Sequence, residues 1–424
     1  MQARGYAHQV PLAGNHGVQV AAEFANWWQA LGEAGSRLWA RFLPTIAVIA
    51  FSVVSIFDSV APQRTEMGSS IWPPIVDVPA FSEIGNAMLS GDLAATYATP
   101  FNQTGPLQPV LSHLLWITAS SFRETLGWDL LQIAIAAGLL GSVVLTVRIG
   151  ADALGLAPQA WVLELTAVSV LAAMGAPADY FAEGHWWQIP VLWLWWIASL
   201  AIVRGRVFIP AIALAASMAL EPWGVLGVVL IVFAPEFKVM IRAGIVTLLM
   251  LSAIWLPFLL MWPFAMGSYQ WKVREDSLWA LIGFGGSEFS WLMRSLQAAA
   301  ILASCIVVFW SWRATIRESN AFCSIALLSA GPMIVLFRVG LDLHFGGYYL
   351  VTTAVFLVPI ALLTLFAWGK SAFPVAISAY LVLVATAGWQ PFAISLIAGM
   401  SLALGLWLSA IRLRVQIPIA PEVA

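Results

Sequence analysis

Ionisable side chains are scarce in this chain, so the places where they gather decide what chemistry it could do. In Val76-Asp77-Val78-Pro79 a carboxylate stands just ahead of a short run, 79–89, in which Phe81, Ile84, Met88 and Leu89 recur at helical spacing. Pro79 suits the first turn of such a helix and Gly91 its end. Helix amides beside Asp77 would hold it ionised at neutral pH, because they favour negative charge. An ionised carboxylate can take the proton of a hydroxyl as that oxygen attacks, which is general-base chemistry. Capping of the helix is the structural alternative. Glu83, one or two turns along, suits a solvated face, and Asp92 suits a turn after Gly91.

Three further groups carry polar chemistry. Asp179, Glu183 and His185 are ligand types that Mg or Mn accepts. No second His stands at ligand spacing, so no metal or other cofactor is expected. Lining of a polar pocket and aromatic anchoring by His185-Trp186-Trp187 stay open as readings. Arg338, Asp342 and His344 flank the mouth of an apolar run, where Arg338 and Asp342 could form a local salt bridge. Lys272, Arg274, Glu275 and Asp276 form a mixed-charge run of the kind found on solvated faces. Cys305 and Cys323 both lie in apolar runs and imply neither a disulfide nor a thiolate metal site. Asn102-Gln103-Thr104 fits a glycosylation sequon, a weak signal by itself.

The elements that must position these groups are membrane helices. The chain has 424 residues, 61% hydrophobic and 9% charged, against about 25% charged in soluble domains. The mean hydropathy is +0.88. This composition excludes a disordered chain, and the absence of a basic face excludes a nucleic-acid binder. No signal peptide is visible, because residues 1–42 are polar and mixed and carry Arg4, Arg37 and Arg41. Apolar runs follow at 43–61, 129–147, 159–176, 187–203, 207–220, 222–234, 243–263, 291–311, 321–337, 345–367, 372–389 and 391–411. The runs 207–220 and 222–234 are short and read as half-helices meeting at Glu221-Pro222.

The run 106–122 decides the sidedness. Read as interfacial or re-entrant, it leaves Arg148, Arg204, Arg206, Lys238, Arg242, Arg313, Arg317, Lys370, Arg412 and Arg414 on one side, the cytoplasmic side by the positive-inside rule. The expectation is an all-α polytopic protein of about 12 spans in the plasma membrane. Residues 1–42 and 412–424 are cytoplasmic, 43–411 forms the transmembrane domain, and the outer loop 61–128 carries the candidate site. Only Glu164 lies well inside a span, and no internal repeat is visible. That favours a reaction at the outer face over passage through the membrane.

The first loop, Val76-Asp77, Phe81, Gly85-Asn86-Ala87-Met88-Leu89-Ser90-Gly91, Tyr97 and Gly105-Pro106-Leu107, resembles that of GT-C glycosyltransferases. The nearest branch is the polyprenyl-phosphate-sugar-dependent mannosyltransferases and related arabinofuranosyltransferases of actinobacterial envelopes. Gly184-His185-Trp186-Trp187-Gln188, Arg204-Gly205-Arg206, Ala219-Leu220-Glu221-Pro222-Trp223, Ser277-Leu278-Trp279-Ala280-Leu281 and Leu341-Asp342 with Tyr348-Tyr349 follow the order of that family's elements. Where the family commonly has Lys before Pro-Trp, this chain has Glu221. The resemblance implies a polyprenyl-phosphate sugar donor, most often mannose, a glycolipid or envelope-glycan acceptor, and inverting transfer with Asp77 as base. Glu83, Asp92, His185, Glu221, Arg338 and His344 would then line the site, with Arg338 and His344 serving the donor phosphate. A lipid or glycolipid flippase is the alternative.

Overall fold

The computed structural model describes residues 77–98, 102–121, 124–173, 186–261, 265–268, 270–275, 277–289, 291–342, 347–386 and 391–416. Apolar runs of this kind become helices because in hydrocarbon each backbone N–H must be satisfied within its own segment. The described chain is almost wholly helical. Its α-helices are α1 (Asp77–Leu89), α2 (Leu93–Thr96), α3 (Leu107–Ser120), α4 (Glu124–Leu154), α5 (Ala160–Ala173), α6 (Gln188–Val203) and α7 (Phe208–Leu220). After a 3-10 helix, Pro222–Phe233, come α8 (Phe237–Leu259), α9 (Trp291–Glu318), α10 (Asn320–Gly340), α11 (Gly347–Trp368), α12 (Phe373–Thr386) and α13 (Pro391–Gln416). Two short strands, β1 (Trp271–Lys272) and β2 (Glu288–Phe289), pair antiparallel between α8 and α9.

Among the described residues, six segments are long and apolar enough to cross a membrane: Ala137–Leu154, Phe237–Leu259, Leu292–Glu318, Asn320–Gly340, Tyr349–Thr386 and Ala393–Leu413. Shorter apolar helices stand at Ala157–Leu171, Gln188–Val203, Phe208–Leu220 and Pro222–Phe233. The chain is therefore a helical membrane protein. Leu248 and Leu249 on α8 and Val307 and Trp310 on α9 are exposed, as side chains facing lipid should be. The expected first span, 43–61, lies outside the described residues.

Side-chain contacts sort the helix ends into two groups. At one end Arg313 and Arg317 donate to the carbonyls of Ala234 and Pro235, and Pro235 packs on Gly205, its Cγ 3.7 Å from where a Cβ would stand. Arg412 donates to the Trp368 carbonyl, and Trp368 stacks on Phe322. Arg148 pairs with Glu164, and Gly150 meets Leu363 and Ile325. Most of the arginines expected on the cytoplasmic side thus share this end of the bundle.

The runs at 207–220 and 222–234 fold back on each other, as the Glu221-Pro222 break led one to expect. Ser217 Oγ reaches the Gly224 carbonyl at 3.3 Å, too close for a continuous helix, in which residues seven apart are separated by about 10 Å. The second limb is a 3-10 helix, which the sequence did not show. Helix α3 has 14 residues and is about 21 Å long, too short for a ~30 Å core. It packs against α1, where Ser82 Oγ and His113 Nδ1 share a hydrogen bond of 3.1 Å.

Candidate functional site

The end opposite the arginine cluster gathers three stretches that are distant in sequence. The first is the turn ahead of α3. Asn102 is buried, its Nδ2 donates to the Thr96 carbonyl at 2.8 Å, and its Oδ1 accepts from the Thr104 amide and hydroxyl. The sequon asparagine is therefore part of the turn and inaccessible to a glycan. Tyr97 seals the same turn. Its hydroxyl donates to the Thr104 carbonyl at 3.0 Å, and its ring packs on Trp255 and Phe258 of α8. Burial pushes its phenol well above the ordinary tyrosine range, so it stays a neutral donor.

The second stretch is the Glu221-Pro222 break. The Gly105 amide donates to the Leu220 carbonyl at 3.1 Å. A Cβ at position 105 would stand 2.2 Å from the Ala219 carbonyl oxygen, so only glycine permits this approach. Gln108, fully buried in the first turn of α3, donates its amide to the Leu220 carbonyl at 3.0 Å and to Glu221 Oε1 at 3.3 Å in the orientation that satisfies both its ends. The first loop thus grips the break and orients a buried carboxylate.

The third stretch is the end of α10 with the start of α11. The Arg338 guanidinium carbon lies 4.7 Å from the Trp223 ring centre and 3.8 Å from that of Tyr349. Its Nη2 donates to the Tyr349 hydroxyl at 2.6 Å and stands 3.9 Å from Asp342 Oδ2. Trp195 packs edge-on against Trp223, and its indole N–H reaches Ser217 Oγ at 3.2 Å, which fixes the ring under Arg338. Asp342 is nearly fully buried and takes its closer bond from Arg294 of α9, which also lies 4.6 Å from the Trp271 ring centre. Two guanidiniums approach this one carboxylate, and groups of this kind make charge-assisted bonds to anions. Planar stacking with retained charge is what arginine offers and lysine does not.

The predicted site residues divide accordingly. Arg338 and Glu221 come to the same end, joined through Trp223, which follows Glu221 by two positions. Asp77 opens α1, two residues earlier than the expected helix start at 79; its side chain lies outside the described residues, as do His185 and His344. Glu83 is exposed on α1. Asp92 is exposed and caps α2, its Oδ1 accepting from the Ala95 amide at 3.1 Å. No described contact ties Glu83 or Asp92 to Arg338. Arg294, Gln297, Gln108 and the partnership of Trp223 with Tyr349 were not anticipated. Gln297, which accepts from Arg294 and donates to the Leu341 carbonyl, could have been noticed as an amide three residues beyond an arginine in an apolar run. Among the described residues no cluster of His, Cys, Asp and Glu could hold a metal ion.

An apolar groove of about 560 Å³ runs between α3, α7 and α8, from Pro106 and Leu107 past Ala215 and Ala219 to Ile254 and Phe258. It begins beside the Gly105–Leu220 contact. Comparison with protein families, curated proteins and solved structures finds no match for the chain.

Proposed function

We propose that the chain is a membrane glycosyltransferase of the GT-C kind, moving a sugar, mannose by resemblance, from a polyprenyl-phosphate donor to a glycolipid or envelope glycan on the outer face of the plasma membrane. The observation that carries this reading is the convergence of the Gly105 turn, the Glu221 break and the ring-stacked Arg338 at one end of a membrane bundle. The Gly105 turn and the Glu221 break belong to motifs that carry the resemblance, and Tyr349, which holds Arg338, belongs to another. The acceptor oxygen would attack the anomeric carbon while Asp77 takes its proton, and the bond from that carbon to the phosphate oxygen would break with inversion. The proton moves during attack, because a sugar hydroxyl is too weak an acid to ionise first. The departing phosphate gains negative charge, which Arg338, backed by Arg294, would offset. The neighbouring groove is lined by apolar side chains and suits an isoprenoid chain, so both parts of such a donor have complementary surroundings.

A full span-crossing proton or ion path would draw on Glu164, which is instead paired with Arg148 at the opposite end. That weakens the flippase reading. Purified protein in nanodiscs, given labelled polyprenyl-phosphate-mannose and membrane glycolipids, should yield labelled glycolipid. Movement of lipid across liposomes without transfer would favour the flippase instead. Asp77→Asn should fold normally yet lose about 10²–10⁴-fold in rate, the usual consequence of losing a general base. A cap tolerates Asn, so near-wild-type turnover would leave Asp77 a structural residue.

A further inference from the structure

The hairpin between α8 and α9 has no part in the transfer chemistry above, yet it is built with care. β1 and β2 pair Trp271 with Phe289 and Lys272 with Glu288. Above them Val273 and Phe289 are buried, and Trp279, Phe284 and Phe289 meet edge to face with ring centres 5.1–6.3 Å apart. Two contacts fasten this base to the site end of the bundle. The Trp279 indole donates to the Leu341 carbonyl at 2.8 Å, and Arg294 lies over Trp271. The tip is the opposite in character. Leu281 is 79% exposed and Ile282 66% exposed, held outward by a turn in which Gly283 and Gly286 take positive φ.

A rigid base that presents two bare aliphatic side chains is a device for entering an apolar phase. The neighbouring helix says which phase. α9 begins two residues after Phe289, and its outward side chains Leu292 and Leu296 are 67% and 55% exposed. They open a lipid-facing strip that continues to Val307 and Trp310. The hairpin therefore leaves the bundle at the level where the hydrocarbon-facing surface begins. Its stem carries Lys272, Arg274, Glu275 and Glu288, all exposed, and such a polar stem with an apolar tip suits the headgroup boundary.

We infer that this hairpin is an interfacial anchor, with Leu281 and Ile282 inserted among the lipids of the site-end leaflet and the Arg294–Asp342–Arg338 cluster held at a fixed depth behind them. The inference does not depend on the sugar-transfer reading. It is tested in phosphatidylcholine nanodiscs with Ile282→Cys and, separately, Glu275→Cys, each carrying an environment-sensitive fluorophore. The unsubstituted chain, treated in parallel, measures background from Cys323. Nitroxide placed high on the lipid acyl chain should quench the label at 282 several-fold more than that at 275, and aqueous iodide should do the reverse. Iodide quenching of 282 equal to that of 275 would overturn the inference, since the tip would then lie in water. Protection of 282 from both quenchers would overturn it too, since protein, such as a second copy of the chain, would then cover the tip.

Discussion

Arg338 is held by ring faces and a phenol oxygen as much as by charge, and this predicts how it responds to substitution. Arg338→Gln removes charge-assisted bonds to a phosphate worth about 1.5–3 kcal/mol, so kcat/KM for the donor should fall about 10–100-fold while acceptor KM stays unchanged. Arg338→Lys should recover only part of this, because an ammonium cannot lie flat between Trp223 and Tyr349. Steady-state kinetics with each substrate varied in turn checks both, and a defect confined to the acceptor would remove Arg338 from the phosphate site. At this scale the sequence was legible where spacing is short. Arg338 and Asp342 stand one helical turn apart and do approach, and the turn reading of Asp92 agrees with its capping bond. Charge put Arg294 on the same side as Arg338 but gave no sign that it reaches Asp342, across a stretch that includes all of α10. No local pattern encodes which distant arginine a buried carboxylate will take. Asn102 shows the converse, a motif that local reading flags and burial disables. Expression in a glycosylating host should accordingly leave Asn102 unmodified, visible as an unchanged gel mobility after glycosidase treatment.

At the scale of elements, the first loop and the Glu221 break behave as one unit. Gly105→Val would force a side chain into the Ala219 carbonyl, and the start of α3 would have to withdraw. Such overpacking costs roughly 1–3 kcal/mol, so the detergent-solubilised protein should melt several degrees lower and lose activity, because Gln108 would no longer reach Glu221. Tyr97→Phe tests the same turn more gently. It removes one buried hydrogen bond, worth about 1 kcal/mol, and leaves the ring packing on Trp255 and Phe258 intact. Burial raises the phenol, so its neutral form is favoured in the fold; that contribution is fully present below the unfolded pKa near ~10 and declines only at higher pH. The stability difference between Tyr97→Phe and wild type should therefore stay constant from about pH 6 to 9. Thermal melts across that range check it. The break at Glu221-Pro222 was legible because proline removes an amide donor and biases residue 221 away from the helical region, although Pro257, Pro332 and Pro359 stay inside α8, α10 and α11. The 3-10 form of Pro222–Phe233 was not, since a run that is apolar on every face has no periodicity to read.

At the scale of the whole molecule, Arg148, Arg313, Arg317 and Arg412 gather at one end of the bundle and the Glu221 break lies at the other, and this makes the sidedness testable. α4 ends among the arginines, α5 leaves from them, and α6 returns to Arg204. α7 and the 3-10 helix enter and leave at that same end, turning at Glu221. α7 has 13 residues and spans about 20 Å, so the turn stops short of a full ~30 Å crossing and leaves Glu221 recessed. α8 then reaches Tyr97, α9 returns to Ala234, α10 rises to Arg338 and α11 descends to Trp368. Because the crossings alternate, one labelling experiment fixes the side of every other loop. If the arginine end faces the cytoplasm, as the positive-inside rule requires, Glu275→Cys in intact cells should react with an impermeant thiol reagent. Arg204→Cys should react only after permeabilisation. The opposite result would mean that a crossing precedes α4 where a 14-residue helix now stands. Arg338 would then face the cytoplasm, where nucleotide sugars are available, and the outer-face transfer proposed above would be overturned.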